Sequence, residues 1–148
     1  MTRLRIGGVL VGLVTTLALA TNVYATSPEP VTITVETHID GFEDPFDSTG
    51  GVVCEAGLVS NAGGHFVGWQ NGVHAQILLV KHFECADGTF DVLLRVTLDF
   101  ATCDTVATWS VLDGTVAYER LRGGGTLTGD GDCGEVIVDT YVGTMHLD

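Results

Sequence analysis

Positive charge is scarce in this sequence: six Lys and Arg stand against 19 Asp and Glu, a formal net charge of −13 over 148 residues. Nucleic acids and anionic membrane surfaces are held by clustered Lys and Arg, so neither is an expected partner. Long apolar runs are scarce too. The one present, residues 6–20, is shorter than the roughly 20 apolar residues that span a bilayer, and Thr15 and Thr16 interrupt it. No Cys-x-x-Cys occurs, which removes the usual spacing of zinc ribbons and thioredoxin-like redox sites. There is no Gly-x-Ser-x-Gly elbow and no phosphate-binding glycine loop with Lys, so hydrolase and kinase chemistry have no foothold and no cofactor is implied. Amphipathic helical periodicity, long internal repeats and inter-domain linkers are likewise missing.

What is there begins with a leader. Arg3 and Arg5, the apolar run, and Val23-Tyr24-Ala25 form the three-part layout of a secretory signal peptide, and cleavage is expected after Ala25. No cysteine lies near that junction to take a lipid, so no stable membrane anchor is expected. The sequence thus divides into a leader at 1–25 and one domain at 26–148. That domain keeps Lys81, Arg95, Arg120 and Arg122 against all 19 acidic residues, a formal charge of −15. Such acidity keeps a protein soluble outside the cell. Cys54, Cys85, Cys103 and Cys133 make an even number bound for an oxidising compartment, so two disulfides are expected. Of the three pairings, Cys54 with Cys85 and Cys103 with Cys133 is favoured.

The domain reads as strands and tight turns. Val31, Ile33 and Val35 alternate with polar residues at the period of a half-buried strand. Residues 38–51, rich in Asp, Gly and Ser, read as a loop, and 52–60 as a short strand. Residues 64–70 run into Asn71-Gly72, a strong hairpin signal, and 73–85 follow. Asp87-Gly88 turns the chain again, and beyond it Phe90, Val92, Leu94, Val96, Leu98 and Phe100 share one face. The runs 106–112, 115–121, 125–128 and 135–147 are separated by Asp113-Gly114, by Gly123-Gly124-Gly125 and by residues 129–134. The fold class is therefore all-β: eight or nine strands at hairpin spacing that hide their edges by closing into one antiparallel up-and-down barrel. A two-sheet sandwich is the alternative.

The segment from Gly114 through Tyr118 and Arg122 to Gly123 resembles the Gly-Thr-Gly-x-Phe/Tyr-x-x-x-Arg-Gly pattern of dirigent and allene oxide cyclase-like barrels, with Val116 in place of the second glycine. Phe83-Glu-Cys85 to Phe90, Trp109, and Asp139-Thr-Tyr141-Val-Gly143 are similar to secreted bacterial members of that group. The resemblance spans roughly the second half of the chain. It implies a calycin-like eight-stranded antiparallel barrel whose lumen, in the studied members, holds a small apolar molecule and steers its cyclisation or coupling. Of the functional residues of those families, only the motif arginine carries over by position, as Arg122.

Candidate chemistry follows from that lumen. Trp109, Tyr118, Arg122 and Tyr141, with Glu119, are the polar and aromatic groups that a small apolar ligand would meet; Arg122 would hold an enolate-like oxygen and a tyrosine would move a proton. The competing reading makes Tyr118 and Trp109 core filler and pairs Arg122 with an acidic neighbour. A lumen of about 300 Å³ or more holding Arg122 and a tyrosine favours binding or isomerisation, whereas a filled one favours a structural or interaction role. No metal is expected. Of His38, His65, His74, His82 and His146, the pair His74 and His82 would share a strand face but lie roughly 26 Å apart. The carboxylates Asp40, Glu43, Asp44 and Asp47 lack the EF-hand spacing and read as a solvated acidic loop, and Asp130 and Asp132 as ordinary turn residues.

Overall fold

The computed structural model describes residues 26–38, 42–131 and 135–148. The expected leader, residues 1–25, and Cys133 lie outside the described residues. The chain forms eight strands: β1 (Glu29–His38), β2 (Glu43–Thr49), β3 (Ala56–Gln70), β4 (His74–Cys85), β5 (Gly88–Asp99), β6 (Thr105–Gly114), β7 (Leu121–Gly131) and β8 (Val136–Leu147). Each pairs antiparallel with the next, and β8 returns to β1 along its whole length, from Glu29 opposite Met145 to His38 opposite Val136. The barrel is closed and has no free edge.

Three local expectations are corrected. Residues 38–51 are not one loop, because β2 lies inside them: Asp44, Phe46 and Ser48 alternate inward while Glu43, Pro45 and Asp47 face out. Alternation carried by two polar residues and one ring hides a strand from hydropathy. The runs 52–60 and 64–70 join as the single strand β3, which keeps its pairing with β4 through register shifts at Asn61/Gly63 and Phe66/Gly68. And 115–121 is no strand. Asp113-Gly114 leads into a 3-10 turn, Val116–Tyr118, that carries the Tyr118 ring into the end of the barrel before β7 begins.

Turn chemistry follows backbone demand. Asn71 and Gly72, at φ of 55° and 74°, reverse the chain between β3 and β4 as expected. At the next hairpin Cys85 pairs with Gly88, so Ala86 and Asp87 make the turn and Gly88 opens β5. Val116 stands at φ 54° with 81% of its surface exposed. A left-handed backbone costs a side-chain-bearing residue about 1–2 kcal/mol, and the greater freedom of glycine in the unfolded chain returns about 0.5–1 kcal/mol of that. Val116→Gly, which restores the glycine of the motif, is therefore expected to stabilise the fold by about 0.5–1 kcal/mol. The check is a higher urea midpoint at unchanged slope; an unchanged or lower midpoint would show that this site carries no relievable strain.

The triple glycine and Gly143 serve close packing. Gly125 sits opposite both Trp109 on β6 and Gly143 on β8. A Cβ on Gly143 would lie 2.6 Å from the Trp109 ring, and one on Gly125 would lie 2.1 Å from the Val142 carbonyl oxygen. The absent side chains make room for the indole, whose Nε1–H donates to the Thr126 carbonyl at 3.0 Å.

Candidate functional site: the open half of the barrel

The inward faces of the strands fill one end of the lumen with rings. Phe83 stacks on Phe90 at 4.8 Å, meets Phe46 edge-on at 5.2 Å and Tyr141 at 5.8 Å. Phe90 in turn meets Tyr118 at 5.4 Å. The Tyr118 hydroxyl donates to Asp87 Oδ1 at 2.8 Å and accepts the Cys54 backbone N–H at 3.1 Å, and burial with the nearby Asp87 raises its pKa to about 12. Cys54 is bonded to Cys85 at this same end, as expected. Cys103 is also disulfide-bonded, at the other end.

Beyond the Phe83 and Trp109 layer the packing stops. A cavity of about 180 Å³ occupies the other half of the lumen; it is smaller than the ~300 Å³ expected of a lumen that works through Arg122 and a tyrosine, and neither lines it. Ile77 and Leu79 of β4, Leu94, Val96 and Leu98 of β5, and Leu127 and Ile137 form its apolar wall. Its polar side is made by Lys81, Asp139, Thr37, Thr105 and the exposed Asn61.

Lys81 is the feature of this cavity that chemistry must explain. It is the only lysine in the sequence, and it is 3% exposed. Lysine is almost never fully buried unless paired. Here, among the described residues, no hydrogen bond or contact ion pair reaches its amine. Burial pushes its pKa down, against the opposing fields of Asp139 and Asp44. Asp139 is 8% exposed and accepts hydrogen bonds from Thr37 Oγ1 at 2.8 Å and Thr105 Oγ1 at 3.2 Å. Burial nevertheless raises its pKa, outweighing the two hydroxyls and Lys81. Asp44, buried as well, accepts from the His38 backbone N–H and meets His38 Nδ1, both at 3.0 Å. Two buried carboxyl groups and one buried amine thus act on one another inside the barrel, Lys81 and Asp139 in the cavity and Asp44 near it.

The mouth of this half carries exposed rings. Register sets Phe66 opposite Ile77 and Trp69 opposite Ala75, next to the cavity wall. Trp69 packs against Phe66 at 5.5 Å and against Phe100 at 5.3 Å, although each is more than half exposed. Phe100, expected on the inner face of its strand, lies just past the end of β5.

The residues expected to meet in one site are distributed otherwise. Tyr118, Trp109 and Tyr141 are buried in the ring-filled half and the layer above it, with Trp109 and Tyr141 centred 6.4 Å apart. None of the three lines the cavity. Arg122 stands on the outside of β7 opposite His146; its Nε meets Asp148 Oδ2 at 3.2 Å, and one of its terminal N–H groups donates to the Leu121 carbonyl at 2.8 Å. Glu119 is exposed. Four histidines pair with carboxylates: His38 with the buried Asp44, and His74 with Asp99, His82 with Asp91 and His146 with Asp148, which are more exposed. Among the described residues, no three His, Cys, Asp or Glu side chains cluster to hold a metal ion.

Lys81 and Asp139 are what sequence reasoning missed as site residues. The signal was parity: Ala75, Ile77, Leu79, Lys81 and Phe83 share one face of β4, and a single charge in an otherwise apolar period-two series marks an inward charge.

Fold and site together define a closed, eight-stranded antiparallel up-and-down barrel, solid at one end and hollow at the other. Comparison with protein-family models, with curated proteins and with solved structures finds no match to this chain.

Proposed function

We propose that this protein holds one small, neutral, mainly apolar molecule in the hollow half of its barrel, outside the cell. The observation that carries this reading is the cavity of about 180 Å³ with an apolar wall and one buried amine. A dry cavity of about 150 Å³ accommodates benzene, so the space suits a molecule of that size carrying one small polar group. Two buried carboxyl groups against one amine make the local field unfavourable for an anion. A hydroxyl or carbonyl oxygen is the head group that fits. The exposed rings of Phe66, Trp69 and Phe100 give an apolar molecule a path to the mouth. Extracellular placement is supported by the leader-like first 25 residues and by the Cys54–Cys85 bond, since cytosolic thiols are kept reduced. The likeness to dirigent and allene oxide cyclase-like barrels supports the same architecture and the same use of the lumen; catalysis through Arg122 gains nothing from a guanidinium placed outside.

Ligand-observed NMR with benzyl alcohol, toluene and benzoate tests the reading. Benzyl alcohol should bind with Kd on the order of 0.1–1 mM, about −4 to −5.5 kcal/mol, with toluene weaker and benzoate weakest. Val96→Phe, which places a ring in the cavity, should abolish binding without lowering the thermal midpoint. Binding that survives Val96→Phe, or no binding by any of the three probes, would overturn the proposal.

A further inference from the structure

Resting on that reading of the cavity, we propose that Lys81 is a nucleophilic amine that condenses with the carbonyl group of a small apolar aldehyde or ketone, with Asp139 as its proton donor and acceptor. Three observations converge. The chain has one lysine and spends it inside the barrel, where an ordinary solvating role is lost. Its amine makes no hydrogen bond or contact ion pair among the described residues, so a lone pair on that nitrogen is not committed to a protein partner. And the carboxyl group that shares the cavity is oriented by two hydroxyls, Thr37 and Thr105, which fix where it offers or takes a proton.

The chemistry balances without any further reactant. The neutral Lys81 amine attacks the carbonyl carbon; a C–N bond forms, the π pair moves to oxygen, and one proton passes from the now cationic nitrogen to that oxygen, giving the neutral carbinolamine with the Asp139 acid still protonated. The Asp139 carboxylic acid then protonates that hydroxyl, the C–O bond breaks with loss of water, and the nitrogen lone pair closes the C=N bond. The remaining N–H proton returns to the Asp139 carboxylate, leaving a neutral imine and one water. Only the neutral amine is a nucleophile, and only the protonated carboxyl is a donor. Burial favours both forms, lowering the Lys81 pKa and raising that of Asp139. A proton passed from ammonium to carboxylate leaves this pair uncharged in a low-dielectric space, which is the reactive combination. The cavity of about 180 Å³ suits a carbon skeleton of about benzene size.

Benzaldehyde with cyanoborohydride at neutral pH is the test, applied to the disulfide-intact protein and read by peptide mapping. The only other primary amine is the N-terminus, so assignment is unambiguous. The expected result is a benzyl group on Lys81 at an aldehyde concentration that leaves the N-terminal amine largely unmodified, blocked by prior filling of the cavity with Val96→Phe. Lys81→Arg should lose the adduct, and Asp139→Asn should slow its formation about a hundred-fold while benzyl alcohol still binds. Mapping on the unmutated chain keeps the test valid even if a variant fails to fold. Benzyl alcohol bound but Lys81 unmodified would overturn the imine proposal and leave the binding reading standing. No adduct on Lys81 and no binding of benzyl alcohol would overturn both.

Discussion

Truncating Phe83 to alanine is expected to lower the stability of the domain by about 3–5 kcal/mol, the range for emptying a buried aromatic site. Phe83 is fully buried and its ring is shared by Phe90, Phe46 and Tyr141. Each ring pair adds about 0.5–1.5 kcal/mol beyond area burial, so one truncation removes three such contacts at once. The surroundings cannot close over the gap, because all three partners are held by separate strands of a closed barrel. Lys81 is the next inward residue of β4, so the hole would also join the existing cavity. Typical domains have only about 5–15 kcal/mol in total, and the variant should therefore be close to unfolding at 37 °C. Phe83→Leu keeps most of the volume and should lose far less. Urea denaturation of both variants decides the matter, and a loss below about 1 kcal/mol for the alanine variant would show that the ring cluster does not hold the plugged end together.

Replacing Cys54 and Cys85 together by alanine should lower stability by about 4 kcal/mol. The bond closes a loop of sequence separation 31. In the chain-entropy account, constraining such a loop in the unfolded state is worth about 3.7 kcal/mol at 25 °C. In the folded protein it ties the approach to β3 to the end of β4 beneath the Tyr118 plug, where the Cys54 backbone N–H is also held by the Tyr118 hydroxyl. The double substitution isolates this bond, whereas a reducing agent would attack the one at Cys103 as well. Equilibrium unfolding of the two oxidised forms gives the number. Equal midpoints would mean that the unfolded chain is already restrained across this loop.

Where the sequence spoke clearly, it did so through rules that act over a few residues. The Phe90-to-Leu98 alternation, the Asn71-Gly72 reversal and the even number of cysteines each carry their structural meaning within a short window. They sufficed for an all-β closed barrel and for disulfides as such, while the choice of Cys54 with Cys85 among three pairings came from the fold. β2 was hidden because its inner face is Asp44, Phe46 and Ser48, and two of those three are polar. Asp44 inside is met by the His38 backbone N–H and ring, contacts that depend on how β1 and β2 are registered. The 3-10 turn at Val116 was hidden for the opposite reason. Its residues suit a strand, but the Tyr118 ring closes the ring-filled end of the barrel, and the chain bends through an unfavourable backbone angle to deliver it.

The candidate site divides in the same way. The motif glycines Gly114 and Gly123 are architectural, since a Cβ there would meet Tyr118 and Met145, and Arg122 follows strand parity to the outside. Lys81 and Asp139 lie on strands that are never adjacent in the barrel order, β4 and β8. Nothing local relates them.

By itself, then, the sequence determined the strand class, the Asn71-Gly72 reversal and the acidic, cation-poor composition, because period-two alternation, glycine conformation and residue counts are properties of short segments or of composition; the pairing of Cys54 with Cys85, one of three possible, was decided by the fold. Only the tertiary structure decided which half of the lumen is filled and which is hollow, because that depends on how rings from six different segments meet at one level of the barrel. Only closure of β8 on β1 brought Asp139 across the lumen to Lys81, and burial shared by residues 58 apart in the chain gives that pair its chemistry.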